Sequence, residues 1–370
     1  MSLLLKCSLI AVAAALSTSA YATGGQLPGN AAGQDPNTGN SSAVANWRFA
    51  PGQVFNGVAG ALDGVARISS TNSQGNWACS GSLLQGGQYV LTAAHCADDF
   101  TSMTVQFGWF AGSAAVTRTV TAATLHPGWL GFNSSADAGI DLAIVKLATP
   151  VTTIQGYALS TTNDVGMDFL MAGYGTTTLG SSNVATNWND GSYGHYGYNT
   201  FDVTSKTFNQ VVDAVTPGWG YDPTYYVGTT YMSDYDGPSN TYNTLGKVAG
   251  FTGGFSSNAG LGANEALIAG GDSGGGDFVW NGSQWLLSAV HSWGWQGSSV
   301  CSFIGNGTLT GCDIGSTNSS SYGDLSGSTA VFGDIAWITS VTGVPEPGSY
   351  ALMLIGLLGV AAAARRRQVI

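Results

Sequence analysis

Residues 90–96 read VLTAAHC, a run of small and apolar side chains that ends in an ionisable histidine and a cysteine. Two readings fit this stretch. In one, a buried strand ends in a core histidine whose ring nitrogens are satisfied by neighbours. In the other, the strand delivers the His95 imidazole to a fixed place and a disulfide through Cys96 holds it there. The rest of the chain decides between them.

Around this stretch lie short apolar or alternating runs: GVARIS, GSLLQGGQYVLTAA, MTVQFGWF, TRTVTAATL, DLAIVKLA and DFLMAGYG. Gly, Asn, Ser and Thr separate them, as expected of short strands joined by turns. After Ser273 the pattern resumes with GDFVW, NGSQWLLSAVHSW and STAVFGDIAWI, the last ending in a short helix. The class is all-β, a barrel or sandwich. Between Tyr174 and Glu265 the pattern changes. Tyr193, Tyr196, Tyr198, Tyr221, Tyr225, Tyr226, Tyr231, Tyr235 and Tyr242 fall there with Trp188 and Trp219, among Gly, Asn and Asp. This region reads as long surface loops or as a rim around a binding cleft, because Tyr gives contact area at low entropy cost. Asp234 and Asp236 in SDYDG read as a solvated loop, with Ca²⁺ ligation as the alternative.

The ends carry addresses. MSLLLKCSLIAVAAALSTSAYA has one basic residue, an apolar stretch to Leu16 and the small-residue pattern Ala20-Tyr21-Ala22. It is a secretory signal peptide for signal peptidase, residues 1–22, and Cys7 leaves with it. Cys79, Cys96, Cys301 and Cys312 remain, an even count that in an exported chain reads as two disulfides with three possible pairings. Without a CxxC pair or clustered histidines, no metal or other cofactor is expected. Only 8% of residues are charged, and between residues 23 and 344 there are 6 Lys+Arg against 20 Asp+Glu, a net −14. Such a chain lacks the basic face that nucleic acid requires. Residues 23–53 read as a flexible leader or propeptide.

The C-terminus reads VPEPGSYALMLIGLLGVAAAARRRQVI. Tyr350–Ala364 would span about 22 Å as a helix, short against a bilayer core of about 30 Å. Arg365, Arg366 and Arg367 would face the cytoplasm. Pro-Glu-Pro, a short apolar helix and a terminal arginine cluster together resemble the PEP-CTERM sorting signal of Gram-negative bacteria. The resemblance implies processing by an exosortase-type enzyme, transient membrane association through the helix of 344–370, and export to the cell surface or extracellular matrix.

GGDSGGGDFVW stands near the C-terminal third. A hydroxyl nucleophile needs a base, and glycines let backbone N–H groups approach a developing oxyanion. With VLTAAHC and DLAIVKL this places His95, Asp141 and Ser273 in the order His…Asp…Ser. The three motifs resemble the trypsin/chymotrypsin family of serine proteases, over about Val54 to Thr342. The resemblance implies two antiparallel β-barrels with a short C-terminal helix in a domain of 54–343. It implies a serine endopeptidase in which Ser273 attacks, His95 is the general base, Asp141 orients it, and the N–H groups of Gly271 and Ser273 form the oxyanion hole. It pairs Cys79 with Cys96, which leaves Cys301–Cys312. Ser292-Trp293-Gly294 matches the family's substrate-binding strand, with the Ser292 hydroxyl on Asp141 and Gly294 on the substrate backbone. In the family a new N-terminal amine pairs with the aspartate before the nucleophile, here Val54 with Asp272. His126, in LHPGW, is structural.

Departures matter too. Asp141 and Ser273 lie 132 residues apart, against about 93 in the chymotrypsin pattern. Leu267 occupies the pocket-base position, where relatives that cleave after Lys or Arg carry Asp. Gly294 and Ala330 are small wall residues that leave room for a large apolar side chain. His291 matches a histidine that contacts substrate carboxylates in glutamate-specific members, or is a core histidine. The expected P1 preference is therefore large apolar or acidic. The alternative function is a catalytically weak protease-fold binding or matrix protein, and a third is an esterase using the same triad.

Overall fold

The computed structural model describes residues 47–177, 179–181, 190–315 and 320–343. The signal peptide, most of the leader, Trp188 and the tail from residue 344 lie outside the described residues. Residues 47–53, expected within the flexible leader, already carry strand β1 (Arg48–Phe49). A small hairpin of β2 (Val54–Phe55) and β3 (Val58–Ala59) follows.

Six strands then close a barrel: β4 (Val65–Asn72), β5 (Gly75–Leu83), β6 (Tyr89–Thr92), β7 (Ser102–Phe107), β8 (Val116–Leu125) and β9 (Ala143–Leu147), in the order β4-β5-β6-β9-β8-β7. Alternation drives it. In Val65–Asn72 the alternate residues Ala66, Ile68 and Ser70 are buried, and Leu83, Val90, Leu91, Val105 and Phe107 lie in the same half of the molecule with essentially no exposure. Each such fully buried apolar side chain contributes about 1.5–3 kcal/mol. Helix α1 (Ala94–Ala97) follows β6 directly, and α2 (Phe132–Ser135) lies between β8 and β9.

The second half is an eight-stranded antiparallel sheet. Its members are β1, β10 (Asp168–Gly173), β11 (Gly194–Thr200), β12 (Val203–Thr204), β13 (Thr230–Asp234), β14 (Gly276–Trp280), β15 (Trp285–Trp295) and β16 (Leu325–Ala330). The order is β1-β11-β10-β14-β15-β16-β13-β12, with β1 and β12 each paired on one side only among the described residues, whereas the first sheet closes into a barrel. The described residues close with α6 (Ile335–Thr342), a short helix at the end of the folded domain. His126 ties the barrel to it: Nε2 lies 3.2 Å from Asp334 Oδ1 and the ring meets Trp337 edge-on at 5.1 Å.

The aromatic-rich region is built, not looped. It contains β11, β12, α3 (Ser205–Val215), β13 and α4 (Thr244–Thr252). Thr204 Oγ1 caps α3 by accepting from the Thr207 N–H, and Asn243 caps α4 on the Gly246 N–H. Phe208 and Val212, one turn apart, bury against Leu245 and Val248 of α4 and against Met232, Val300 and Leu325. Here α5 (Gly297–Phe303) joins through Val300, beside the Cys301–Cys312 disulfide. Tyr196, Tyr198, Tyr231 and Tyr235 are core residues, while Tyr225 is exposed. Asp234 and Asp236 are fully buried, contrary to the solvated-loop reading.

Candidate active site

Strand β6 runs through the barrel wall and hands directly to α1, whose first turn carries His95. Ala93 and Ala94 pack without exposure, which leaves the imidazole as the side chain that emerges. The Cys79–Cys96 disulfide ties this turn to β5. Asp141, with no exposure, receives three donors. The His95 N–H reaches Oδ1 at 3.0 Å, His95 Nδ1 lies 2.7 Å from Oδ2, and the Ser292 hydroxyl donates to Oδ2 at 2.6 Å. A carboxylate oxygen accepts, so Nδ1 carries the ring proton and Nε2 keeps its lone pair for the cleft. Phe132 sits edge-on to the imidazole, 5.0 Å between ring centres.

Ser273 lies in a tight loop between Ala269 and Gly275. Gly271 (φ +96°) and Gly274 (φ +83°) take left-handed backbone, which costs a side chain dearly. At Gly274 a Cβ would also collide with Thr92 Oγ1 and the Ser80 carbonyl. The loop is pinned from all sides. The Ser80 N–H donates to the Ser273 carbonyl at 2.8 Å, the Gly274 N–H to His291 at 2.8 Å, and the Ser80 hydroxyl to the Gly271 carbonyl at 3.1 Å. Asp272 turns inward, accepting from the Ala269 N–H at 2.9 Å and the Gly175 N–H at 2.7 Å. Burial raises its pKa, opposed by the neighbouring His291. Among the described residues, the N–H groups of Gly271 and Ser273 have no hydrogen-bond partner.

His95, Ser273, Ser292, Trp293 and Gly294 all line one open cleft of about 500 Å³. Its remaining walls are Ile268, Ala269, Gly270, Phe132, Ser320 and the tip of the β4–β5 hairpin with Trp77. Of these, Phe132, Trp77, Ile268 and Ser320 escaped the sequence reading. Only Phe132 left a signal, an aromatic close after LHPGW with no apolar period around it.

Several expected site residues lie elsewhere. His291 is 1% exposed, with Nε2 2.7 Å from Asp277 Oδ1 and Nδ1 3.2 Å from the Asp272 carbonyl, so it is a core histidine and not a substrate contact. Successive strand residues face opposite ways, and Ser292 takes the cleft side. Burial disfavours the charged imidazole, but Asp277 more than offsets this and holds the pKa above its usual value. Leu267 is not among the residues lining the cleft: it borders a small adjoining cavity of about 50 Å³ with Asp272, His195 and Trp47. Ala330 is 1% exposed and packs in the core opposite Ala289, while Ser326 and Gly327 pair with Gly294 and Trp293. Val54 pairs with Ala59 in its hairpin and is not brought to Asp272. Cys79, His95 and Cys96 form the one trio of His, Cys, Asp or Glu donors close enough to share an ion among the described residues, and both thiols are spent in the disulfide.

The inserted region reaches this site from behind. The Asp137 carbonyl accepts from the Ser205 hydroxyl at 3.1 Å and the Thr230 hydroxyl at 3.3 Å, and the Gly228 N–H donates to Ala138 at 2.9 Å. These bonds buttress the segment that leads into Asp141. Burial pushes the Asp137 carboxyl up to about 7. Tyr225 and Trp295 line a smaller groove of about 270 Å³ that shares Phe132, Trp293 and Gly294 with the main cleft.

Comparison with known proteins adds the following. Residues 58–210 match the trypsin family model, and residues 343–368 match that of the PEP-CTERM protein-sorting motif. Transmembrane protease serine 11G of Rattus norvegicus is 34% identical over 86 residues, 22% of this chain and 19% of that one. The chain thus spans about a fifth of that curated relative. The structure of HL collagenase superposes with a TM-score of 0.50 at 19% identity, covering 81% of this chain and 98% of the other. That likeness is one of fold. No helix among the described residues is long and apolar enough to cross a membrane.

Proposed function

We propose that this chain, which carries a trypsin-family protease domain and ends in a PEP-CTERM sorting motif, is an exported serine endopeptidase. One observation carries the reading. A histidine oriented by a buried carboxylate and a serine in a tight glycine loop meet on one cleft, and in that loop, among the described residues, the N–H groups of Gly271 and Ser273 have no partner. In the proposed mechanism Ser273 Oγ attacks the scissile carbonyl while His95 Nε2 takes its proton. The oxyanion moves between the N–H groups of Gly271 and Ser273, donors that need no reorganisation. His95 then protonates the leaving amine, water repeats the sequence on the acyl-enzyme, and Asp141 with Ser292 keeps the ring in one tautomer throughout. Gly294 pairs with the substrate backbone. With His291 turned inward, the walls of Ile268, Ala269 and Trp293 favour an apolar P1 side chain over an acidic one. The sorting motif supports processing near Pro345-Glu346-Pro347 by an exosortase-type enzyme and release at the cell surface.

The test uses protein recovered from the cell surface. A fluorophosphonate should label Ser273, a peptide library should show cleavage after apolar residues, and Ser273→Ala should lose turnover by about 10⁶-fold. Intact mass should end close to Glu346. A chain that resists the probe and cleaves nothing would sink the protease reading. Full-length mass found only in the inner membrane would sink the sorting one.

A further inference from the structure

The folded domain begins before Val54. Arg48 and Phe49 pair as β1 with β11, opposite His195 and Gly194. Arg48 Nε and Nη2 donate to the two Asp190 oxygens at 2.6 and 2.5 Å, and the guanidinium lies 3.7 Å from the Tyr193 ring centre. A two-pronged pair of this kind fixes orientation as well as charge. Phe49, 3% exposed, meets Tyr174 edge-on at 5.5 Å, over Gly194, where any Cβ would strike its ring. Trp47, 7% exposed, lines the small cavity on which Asp272 and His195 also border.

From Tyr174 the contacts run straight to the nucleophile loop. The Tyr174 N–H donates to Ser80 Oγ at 2.9 Å, and Ser80 Oγ donates to the Gly271 carbonyl. The next N–H, of Gly175, donates to Asp272 Oδ1. Gly173 and Gly175 both lack the Cβ that would displace the Asp272 carboxylate. Tyr174, through Ser80, and Gly175 thus hold the Gly271 carbonyl and the Asp272 carboxylate, which lie between the two proposed oxyanion donors, and Phe49 bears on Tyr174.

We propose that Trp47–Phe49 is a positioning strap: it clamps Tyr174–Gly175, and through them Gly271–Ser273, in the geometry that binds the oxyanion. The working enzyme therefore retains this segment instead of starting at Val54. The inference rests on the protease reading above. It assigns the strap no contact with substrate, so its loss should lower kcat and leave KM nearly unchanged.

The experiment compares the chain beginning at residue 45 with one beginning at Val54, each released from a fusion partner and ending at Gly343. Both are titrated with fluorophosphonate and assayed on one peptide. The Val54 form should fall on the order of 10²-fold in kcat, the scale of a displaced oxyanion donor, and a synthetic peptide of residues 45–53 should restore activity. Should that form not fold, Trp47→Ala and Arg48→Met in the longer chain take its place, each expected to lower kcat about tenfold, with Arg48→Lys recovering part of the loss. A Val54 form as fast as the longer chain overturns the strap, as do point variants with unaltered kcat. Failure of the longer chain to take up the probe overturns the protease reading itself.

Discussion

Asp141 and the quartet Asp202, Asp234, Asp236 and Glu265 are all buried carboxylates, in two regions of one molecule, and they are treated in opposite ways. Asp141, at the edge of the barrel, is met by a backbone N–H, an imidazole and a hydroxyl. In the inserted region, Asp202 Oδ2, Asp236 Oδ1 and Glu265 Oε1 are buried and, among the described residues, meet no N–H or hydroxyl donor, while Asp202 and Asp236 lie against the Asp234 carboxyl. Lys247 is near, but its Nζ is spent on the carbonyls of Thr241 and Gly311 at 2.9 and 2.7 Å. Burying a charge costs far more than burying a neutral acid. The barrel edge therefore keeps a carboxylate that accepts, and the inserted core keeps acids that retain protons. Burial, then the charges of Asp234 and Asp202, push Asp236 up to about 9; burial lifts Asp234 to about 6 and carries Asp202 and Glu265 well above their usual range.

The sharpest way to break this comparison is at Asp141. Asparagine preserves the shape but turns one accepting oxygen into a donor. Facing Nδ1–H, the amide would drive the ring to its other tautomer, with Nε2 protonated and useless as a base. Asp141→Asn should lose about 10⁴-fold in kcat at neutral pH, with near-UV circular dichroism unchanged. A loss of less than tenfold in a folded variant would show that the three donors at Asp141 are architectural only.

For the quartet the effect is on stability. An acid whose folded pKa is raised keeps its proton where the unfolded chain has already lost it, so the native state binds more protons. Stability is full below about pH 4 and falls as pH rises through 6 and toward 9, where Asp234 and Asp236 are forced to ionise in place. The slope is about 1.4 kcal/mol per pH unit for each proton of difference. Asp236→Asn still accepts from Asn243 Nδ2, 3.2 Å away in the parent, and cannot ionise. Denaturant titrations from pH 5 to 9 should show a shallower decline in this variant by up to one proton's worth. Equal slopes would mean that the quartet is neutralised by something other than protons.

The same contrast explains what the sequence made legible. Barrel strands declare themselves because one face is buried and the period is two, as in Val65–Asn72. The loop Gly270–Gly275 and the turn at His95 declare themselves because their chemistry needs particular residue types in a fixed local order. The inserted region hides its helices. Of the apolar residues of α3 only Phe208 and Val212 are buried, and the helix is stabilised by Leu245 and Val248, about 35 residues onward, not by propensity. The wall residues failed for a different reason. His291 against Ser292 is a choice of strand face, and the bulge between His291 and Trp293 shifts the register where the choice is made, while Leu267 and Ile268 lie outside any strand, where no period says which one faces the cleft. Strand β1 was lost in a Gly- and Asn-rich leader, since two residues carry no period.

Phe132 offers the smallest test, where the orienting side of the comparison meets solvent. It is 44% exposed, an unusual position for a phenylalanine, yet its ring is edge-on to His95 and it lines both the main cleft and the adjoining groove. An aromatic pair of this geometry is worth about 0.5–1.5 kcal/mol. Because Asp141 and its backbone bond already fix the imidazole, Phe132 has little orientation left to supply, and its energy should go into substrate contact. Phe132→Ala should raise KM about threefold, at the low end of that range, and leave kcat within a factor of two. A fall in kcat with KM unchanged would reverse the assignment. It would mean that the three bonds at Asp141 do not hold His95 alone, and that the exposed ring is part of the device that orients it.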